Sequence, residues 1–497
     1  MAVPTLAFGT ASALAQSAPL GLRDTVIQVA NPNIGATSTL DSSTGKSVAT
    51  RRKTNQRSGR PFRHRNQLPP LTAFPGAERS GLRGGASPLD SMPAPPPTIA
   101  VIPSIDPKRR PRIDEKPFDP TGVSFGGLRL KPYLEEDLGY ASNPSSVPSG
   151  AKGSAYENTE AGLAFQSDWA RDEIRGAVRG GYANYFANSS ANAPYGSGLV
   201  AGRFDVSRSV FLDAETHFSV FTQTLGSLTL PYGAVLSSGG RPLVDTFGGS
   251  AGGTAIFGDL ALSLHGTFER TAYGNATLSN GVVDDLSSDA SSDWGLRGRI
   301  AYHLSPLVAP FVEFDADRRI YDAGEDASGF FRDSIGGSAI AGISLAWTNQ
   351  LAGEISAGYG NRTYKDPRLP DLHAPLVNGL LTWFATPLTT ISLKAGTNLA
   401  DTTTPGASGA VSNTYTIGIS HALFRNLTLS AAAGYATDTY SGVPIRDETT
   451  TLGLGAEYSL SRELLLRSTL TRTQYTSNVP NSSYIANIFM LGLRVQR

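Results

Sequence analysis

The chain has 497 residues, no cysteine, and equal numbers of Lys+Arg (42) and Asp+Glu (42). The absence of cysteine excludes a disulfide framework, a thiolate metal site and a cysteine nucleophile, and no run reaches the roughly 18 apolar residues that a membrane helix needs. The zero net charge is unevenly spread, with 16 basic against 8 acidic side chains in residues 16–126 and 26 against 34 in the rest.

Residues 1–15 read as the remnant of a secretory signal peptide. The apolar run from Leu6 to Leu14 leads into the small-x-small trio Ala13-Leu14-Ala15, with cleavage expected before Gln16. A positively charged start is absent, so the expected translation start lies farther upstream. Residues 16–126 are rich in Pro, Ser and Arg, with a basic cluster at Arg51-Arg52-Lys53, Arg57, Arg60, Arg63 and Arg65 and a stiff patch at Pro93-Ala94-Pro95-Pro96-Pro97. With few apolar residues and no periodicity, this segment reads as a disordered periplasmic tail. Its charge would also suit an anionic envelope polymer. Nucleic acid is not expected as the partner of an exported tail.

From Gly127 to Arg497 the pattern changes. In the first strand Leu128, Leu130, Leu134, Leu138 and Tyr140 alternate with Arg129, Lys131, Tyr133, Glu135 and Asp137. Later segments repeat the alternation: Ile174, Val178 and Tyr182 against Glu173, Arg175 and Arg179, and Val210, Leu212, Ala214, Phe218 and Val220 against Asp213, Glu215 and His217. Val308, Val312, Phe314 and Ile320 likewise face away from Glu313, Asp315, Asp317 and Arg319. A period of two is a strand signal, and one row that keeps its charges strand after strand belongs to a wet interior. The hairpin from Val411 to Tyr440 has only Phe424-Arg425-Asn426 between its arms, too few residues for anything but a tight antiparallel turn.

Eight such short turns recur, at Ala170-Arg171-Asp172, Ser207-Arg208-Ser209, Gly258-Asp259, Ser305-Pro306, Thr348-Asn349-Gln350, Thr386-Pro387, Arg425-Asn426 and Ser461-Arg462-Glu463. Each interval holds two strands and one longer polar segment. Sixteen strands flanked by one more at each end make an all-β, transmembrane, antiparallel up-and-down barrel of about 18 strands, sixteen being the neighbouring even count. An even count leaves both ends of the barrel on the short-turn, periplasmic side. Aromatic residues beside the turns (Trp169, Phe257, Trp347, Trp383, Phe424) and farther along (Tyr140, Tyr182, Tyr321, Tyr364, Tyr475) suggest two interfacial girdles.

Three stretches, Pro117-Phe118-Asp119-Pro120, Gly127-Leu128-Arg129-Leu130-Lys131-Pro132 and Gly139-Tyr140-Ala141-Ser142-Asn143-Pro144, resemble the beta-barrel porin type 2 family of outer-membrane proteins. Strand ends such as Asp317-Arg318-Arg319-Ile320-Tyr321-Asp322 and Asn361-Arg362-Thr363-Tyr364-Lys365-Asp366 are similar too. The resemblance covers residues 117–497. It implies a barrel in the outer membrane of a Gram-negative bacterium, and some such barrels accompany exopolysaccharide or capsule systems.

Counting outward from the Ser305-Pro306 turn places Arg299 opposite Glu313 and Arg297 opposite Asp315; around Arg208, Arg203 falls near Asp213 or Glu215. Together with Arg175 and Arg179 these nine are the candidate pore-lining residues. Facing charges could brace a polar wall or set a transverse field at a constriction. His217 shares a face with Asp213 and Glu215, but alternate residues of one strand make a wall more readily than a catalytic triad. No catalysis, metal or cofactor is expected. The reading is a passive channel for small hydrophilic solutes set in outer-membrane lipid. Its rival is a barrel for polysaccharide export or envelope assembly, with the basic tail docked on a periplasmic partner.

Overall fold

In a computed structural model, the described residues are 118–169, 172–223 and 241–497, apart from 278–280, 282, 327, 348, 349, 403 and 481. The signal remnant and nearly all of the basic tail lie outside them, as do Ala170, Arg171, Thr348 and Asn349 of two of the turns.

Eighteen long strands form one antiparallel sheet closed on itself. In chain order they are β1 (Leu128–Ala141), β2 (Ser154–Ser167), β3 (Glu173–Tyr185), β4 (Ala193–Asp205), β5 (Val210–Thr222) and β6 (Leu243–Phe257). β7 (Leu260–Tyr273), β8 (Ser291–Tyr302), β9 (Val308–Tyr321), β10 (Ser334–Trp347), β11 (Leu351–Tyr364) and β12 (Leu372–Thr386) follow. β13 (Thr389–Ala400), β14 (Gly409–Phe424), β15 (Leu427–Ser441), β16 (Arg446–Ser459), β17 (Leu464–Ser477) and β18 (Tyr484–Gln496) complete the wall. Each strand pairs with its sequence neighbours, and β18 returns to β1 in a register running from Tyr133↔Gln496 to Ala141↔Ile488. Among the described residues, the predicted short turns fall between strands at one end and the longer connections at the other.

Closure removes the free edges that an open sheet would expose. β18 reaches only to Tyr133, and a short strand at Val123–Phe125 pairs with the first residues of β1 beyond it, Val123 opposite Leu130. Gly126 and Gly127 both have positive φ at the turn between them, which glycine adopts without steric cost.

The two faces separate cleanly. Outward side chains such as Leu212, Leu264, Leu296, Phe314, Ile355, Leu393, Ile417, Leu454, Leu470 and Leu491 are exposed, whereas inward ones such as Glu135, Asn158, His265, Arg297, Glu313 and Arg467 are buried. That is the inverse of a water-soluble sandwich, and it suits a sheet whose outer solvent is hydrocarbon. The aromatic girdles need one correction. Tyr140 and Tyr182 point outward, but Tyr321, Tyr364 and Tyr475 are buried on the inner side. Tyr321 and Tyr475 fall on the same rows as Arg319 and Arg467, so the period of two turns them away from lipid. The outward aromatics on the long-loop side are instead Phe247, Trp294, Tyr359, Tyr415 and Phe489.

Candidate pore wall

All nine candidate residues sit on the inner row of their strands. Around the β8–β9 turn the pairing puts Arg299 opposite Glu313 and Arg297 opposite Asp315, as counting from the turn predicts. Arg297 donates to Asp315, which also accepts from the Ser338 hydroxyl at 3.0 Å. Arg299 reaches further: it lies 3.4 Å from Glu313 and 2.6 Å from Glu354 of β11, donates to Ser344 of β10, and stacks over the Phe311 ring at 3.5 Å. Glu354 was not singled out in the sequence, because its strand carries few charges to mark its inner row.

Four strands back along the wall Arg203 does lie across from Asp213, yet its Nε donates to Asp205 on its own strand at 2.7 Å, and its guanidinium covers Phe211. Asp213 is engaged elsewhere: His265 Nε2 of β7 is 2.8 Å away. Glu215 stands in register with Ala201 and Ser250. Arg179 approaches Glu160 at 3.7 Å and donates to Ser197, and Arg175 is 3.8 Å from Glu173.

Glu135, which alternation places on the inner row, meets two partners that the sequence does not indicate. Glu135 of β1 is fully buried and receives both Arg467 of β17, at 2.7 and 2.8 Å, and Nε of Arg494 of β18 at 2.6 Å. The Arg494 guanidinium lies over the Tyr133 ring, whose hydroxyl donates to Glu160. This network spans the joint where the last strand meets the first.

Several pairs cross an intervening strand, and a glycine lies beneath each. Gly252 separates Asp213 from His265, Gly248 separates His217 from Glu269, Gly181 separates Glu160 from Tyr195, and Gly336 separates Asp317 from Arg362. A methyl group at Gly252 would sit 2.6 Å from the His265 ring, and one at Gly336 would sit 2.5 Å from Asp317 and 2.6 Å from Arg362. Second-neighbour strands are almost 10 Å apart, and at these four pairs the glycine on the strand between them leaves room for the side chains to meet.

At the long-loop end the connections fold onto one another. Arg332, buried just before β10, donates to the carbonyls of Thr402, Thr404 and Ala407 in the β13–β14 connection and pairs with Asp326 at 2.5 Å. Asp401 of the same connection meets Arg319 at 3.3 Å and accepts from Tyr321. Beside them Asp366 accepts from the Arg368 guanidinium and from the backbone N–H groups of Arg368 and Phe331, which hold its carboxyl well below the usual carboxylate range. The β9–β10, β11–β12 and β13–β14 connections therefore form one packed group over part of the mouth.

No curated protein matches the chain. Among solved structures, it is similar to the ferric enterobactin receptor PfeA (mutant G324V) of Pseudomonas aeruginosa at 8% identity and a TM-score of 0.38, covering 74% of this chain and 80% of that one. The copper transporter OprC is similar at 11% identity and a TM-score of 0.42, covering 76% and 81%. OccAB3 of Acinetobacter baumannii is similar at 10% identity and a TM-score of 0.33, covering 75% and 100%. The family described as "Putative beta-barrel porin 2" matches residues 116–497, the whole of the strand-forming region. By that match the chain belongs to this family of outer-membrane β-barrel porins.

Proposed function

We propose that the protein is a passive channel for small hydrophilic solutes. The observation that carries the reading is the inner wall, where charged side chains recur around the barrel and are paired mainly with neighbours one or two strands away. Pairs that lie along a wall brace it without filling the bore, and an 18-stranded barrel is wider than its own side chains can fill. Asp315 and Glu354 would present charge to passing ions, with Arg297, Arg299 and Glu313 buried beside them. The packed connections around Arg332 would narrow the entrance and bias solute size. Transport suits this wall better than catalysis does, because both inner-row histidine pairs, His265 with Asp213 and His217 with Glu269, run along it as struts.

The test is conductance of the refolded full chain in a planar bilayer. Stable ohmic steps are expected, their size bounding the width of the bore. Silence from protein shown to be folded would overturn the reading in favour of a plugged barrel serving polysaccharide export or envelope assembly.

A further inference from the structure

The outer face of β6–β9 departs from plain apolar lining at one height. Phe247, Phe268 and Trp294 form a run of rings, with centroids 6.4 Å apart for Phe247–Phe268 and 4.4 Å for Phe268–Trp294. Trp294 and Phe247 are more than half exposed. Phe268 and Trp294 stand eight residues from the short-turn ends of their strands, Leu260 and Tyr302. That is roughly 20 Å up the wall, at about 3.3 Å per residue and a tilt of about 40°. Arg270 and Arg318 stand ten residues up β7 and β9, so roughly 25 Å, near the upper limit of an apolar band about 25 Å tall.

Register brings these residues together. Phe268 lies opposite Trp294 and Trp294 opposite Arg318, while Arg270 lies opposite both Phe247 and Ser292. Arg270 is committed: Asp322, just past the end of β9, takes both of its terminal nitrogens, one at 2.6 Å, and Ser292 accepts at 3.1 Å. Arg318 is exposed and meets no carboxylate among the described residues. Below the rings the wall is apolar, with Leu264, Leu296, Ile300, Val312 and Phe314 exposed.

We propose that this patch binds a phosphorylated glycolipid of the outer leaflet. The longer connections face outward in outer-membrane barrels, which puts the patch at the outer headgroup level. Arg318 supplies forked donors for a phosphate oxygen pair. The Phe268–Trp294 platform takes the C–H face of a sugar ring, an amphipathic contact suited to a ring at the interface. Acyl chains descend over Leu296 and Phe314. Asp322 neutralises Arg270, and the exposed Asp245 stands two residues beyond Phe247 at the β6 edge of the patch, which leaves Arg318 as the cation without a carboxylate partner among the described residues.

The experiment uses the full chain, stripped of lipid in detergent and followed by native mass spectrometry. The probes are a monophosphorylated acyl-glucosamine disaccharide, its dephosphorylated form and phosphatidylglycerol. One phosphorylated glycolipid is expected to stay bound to the wild type, with retention falling about tenfold or more for Arg318→Gln, as loss of a charge-assisted fork should cause. Trp294→Leu should weaken the same probe while leaving the charge in place, and the dephosphorylated form should bind as weakly as the Arg318→Gln variant binds the intact probe. Unchanged bilayer conductance of both variants would report an intact barrel. Equal retention by wild type and Arg318→Gln, or displacement of the glycolipid by an equal concentration of phosphatidylglycerol, would overturn the proposal.

Discussion

A lumen glycine in this wall is a place where two other residues meet. Gly492 of β18 sits between Asp137 of β1 and Arg467 of β17, and a methyl group there would come within 2.0 Å of Asp137 Oδ1. Relieving that overlap must disturb the neighbouring Glu135–Arg467 pair, and forcing extra volume into a packed site typically costs about 1–3 kcal/mol. Gly492→Ala is therefore expected to lower the urea midpoint of the refolded barrel by an amount in that range. Gly196→Ala should leave it unchanged, because its added carbon would face outward with its nearest neighbour at 3.7 Å. Equal losses in the two variants would mean that strand conformation, and not the space between charges, sets the requirement for glycine. Gly492 is also where residue-level reading of the sequence stops short. Alternation marks which glycines face inward, but the partners that meet over them belong to strands on either side and depend on register.

Strands and turns differ in how much of them is local. The alternation in β5 or β9 needs only its own residues, and a two- or three-residue turn leaves one way for the flanking strands to pair, so strand number, faces and the Arg299–Glu313 register are legible without coordinates. Arg203 is different: its position opposite Asp213 follows from the turn, but its choice of Asp205 follows from His265 having occupied Asp213. The long connections were least legible. Nothing near Arg332 in the sequence points to carbonyls some seventy residues away. Hydrogen bonds to a charged donor are worth about 1.5–3 kcal/mol each, so Arg332→Ala should release the β13–β14 connection while the strands hold. Single-channel recordings are expected to show a larger, noisier conductance. An unchanged trace would place that connection outside the conduction path.

For the molecule as a whole, the proposed channel makes the balance of charge along the bore matter more than any one pair. Removing Arg297 and Arg299 together leaves Glu313, Asp315 and Glu354 without these partners on one stretch of wall. The double substitution Arg297→Ala, Arg299→Ala is expected to shift the reversal potential in a salt gradient severalfold toward cation preference. If the potential does not move, these side chains brace the barrel and permeating ions pass elsewhere.

The joint between β18 and β1 has a consequence in time as well as in space. Every other seam of the wall joins strands that follow each other along the chain, and each can form as soon as its second member emerges. The Glu135 clasp waits for Arg467 and Arg494, so a chain delivered from its N-terminal end carries an open sheet with two adhesive edges until the final strand arrives. Such an intermediate pairs readily with other chains. It must therefore be held apart during delivery, and loss of β18 alone would cost the ring and not merely one strand in eighteen.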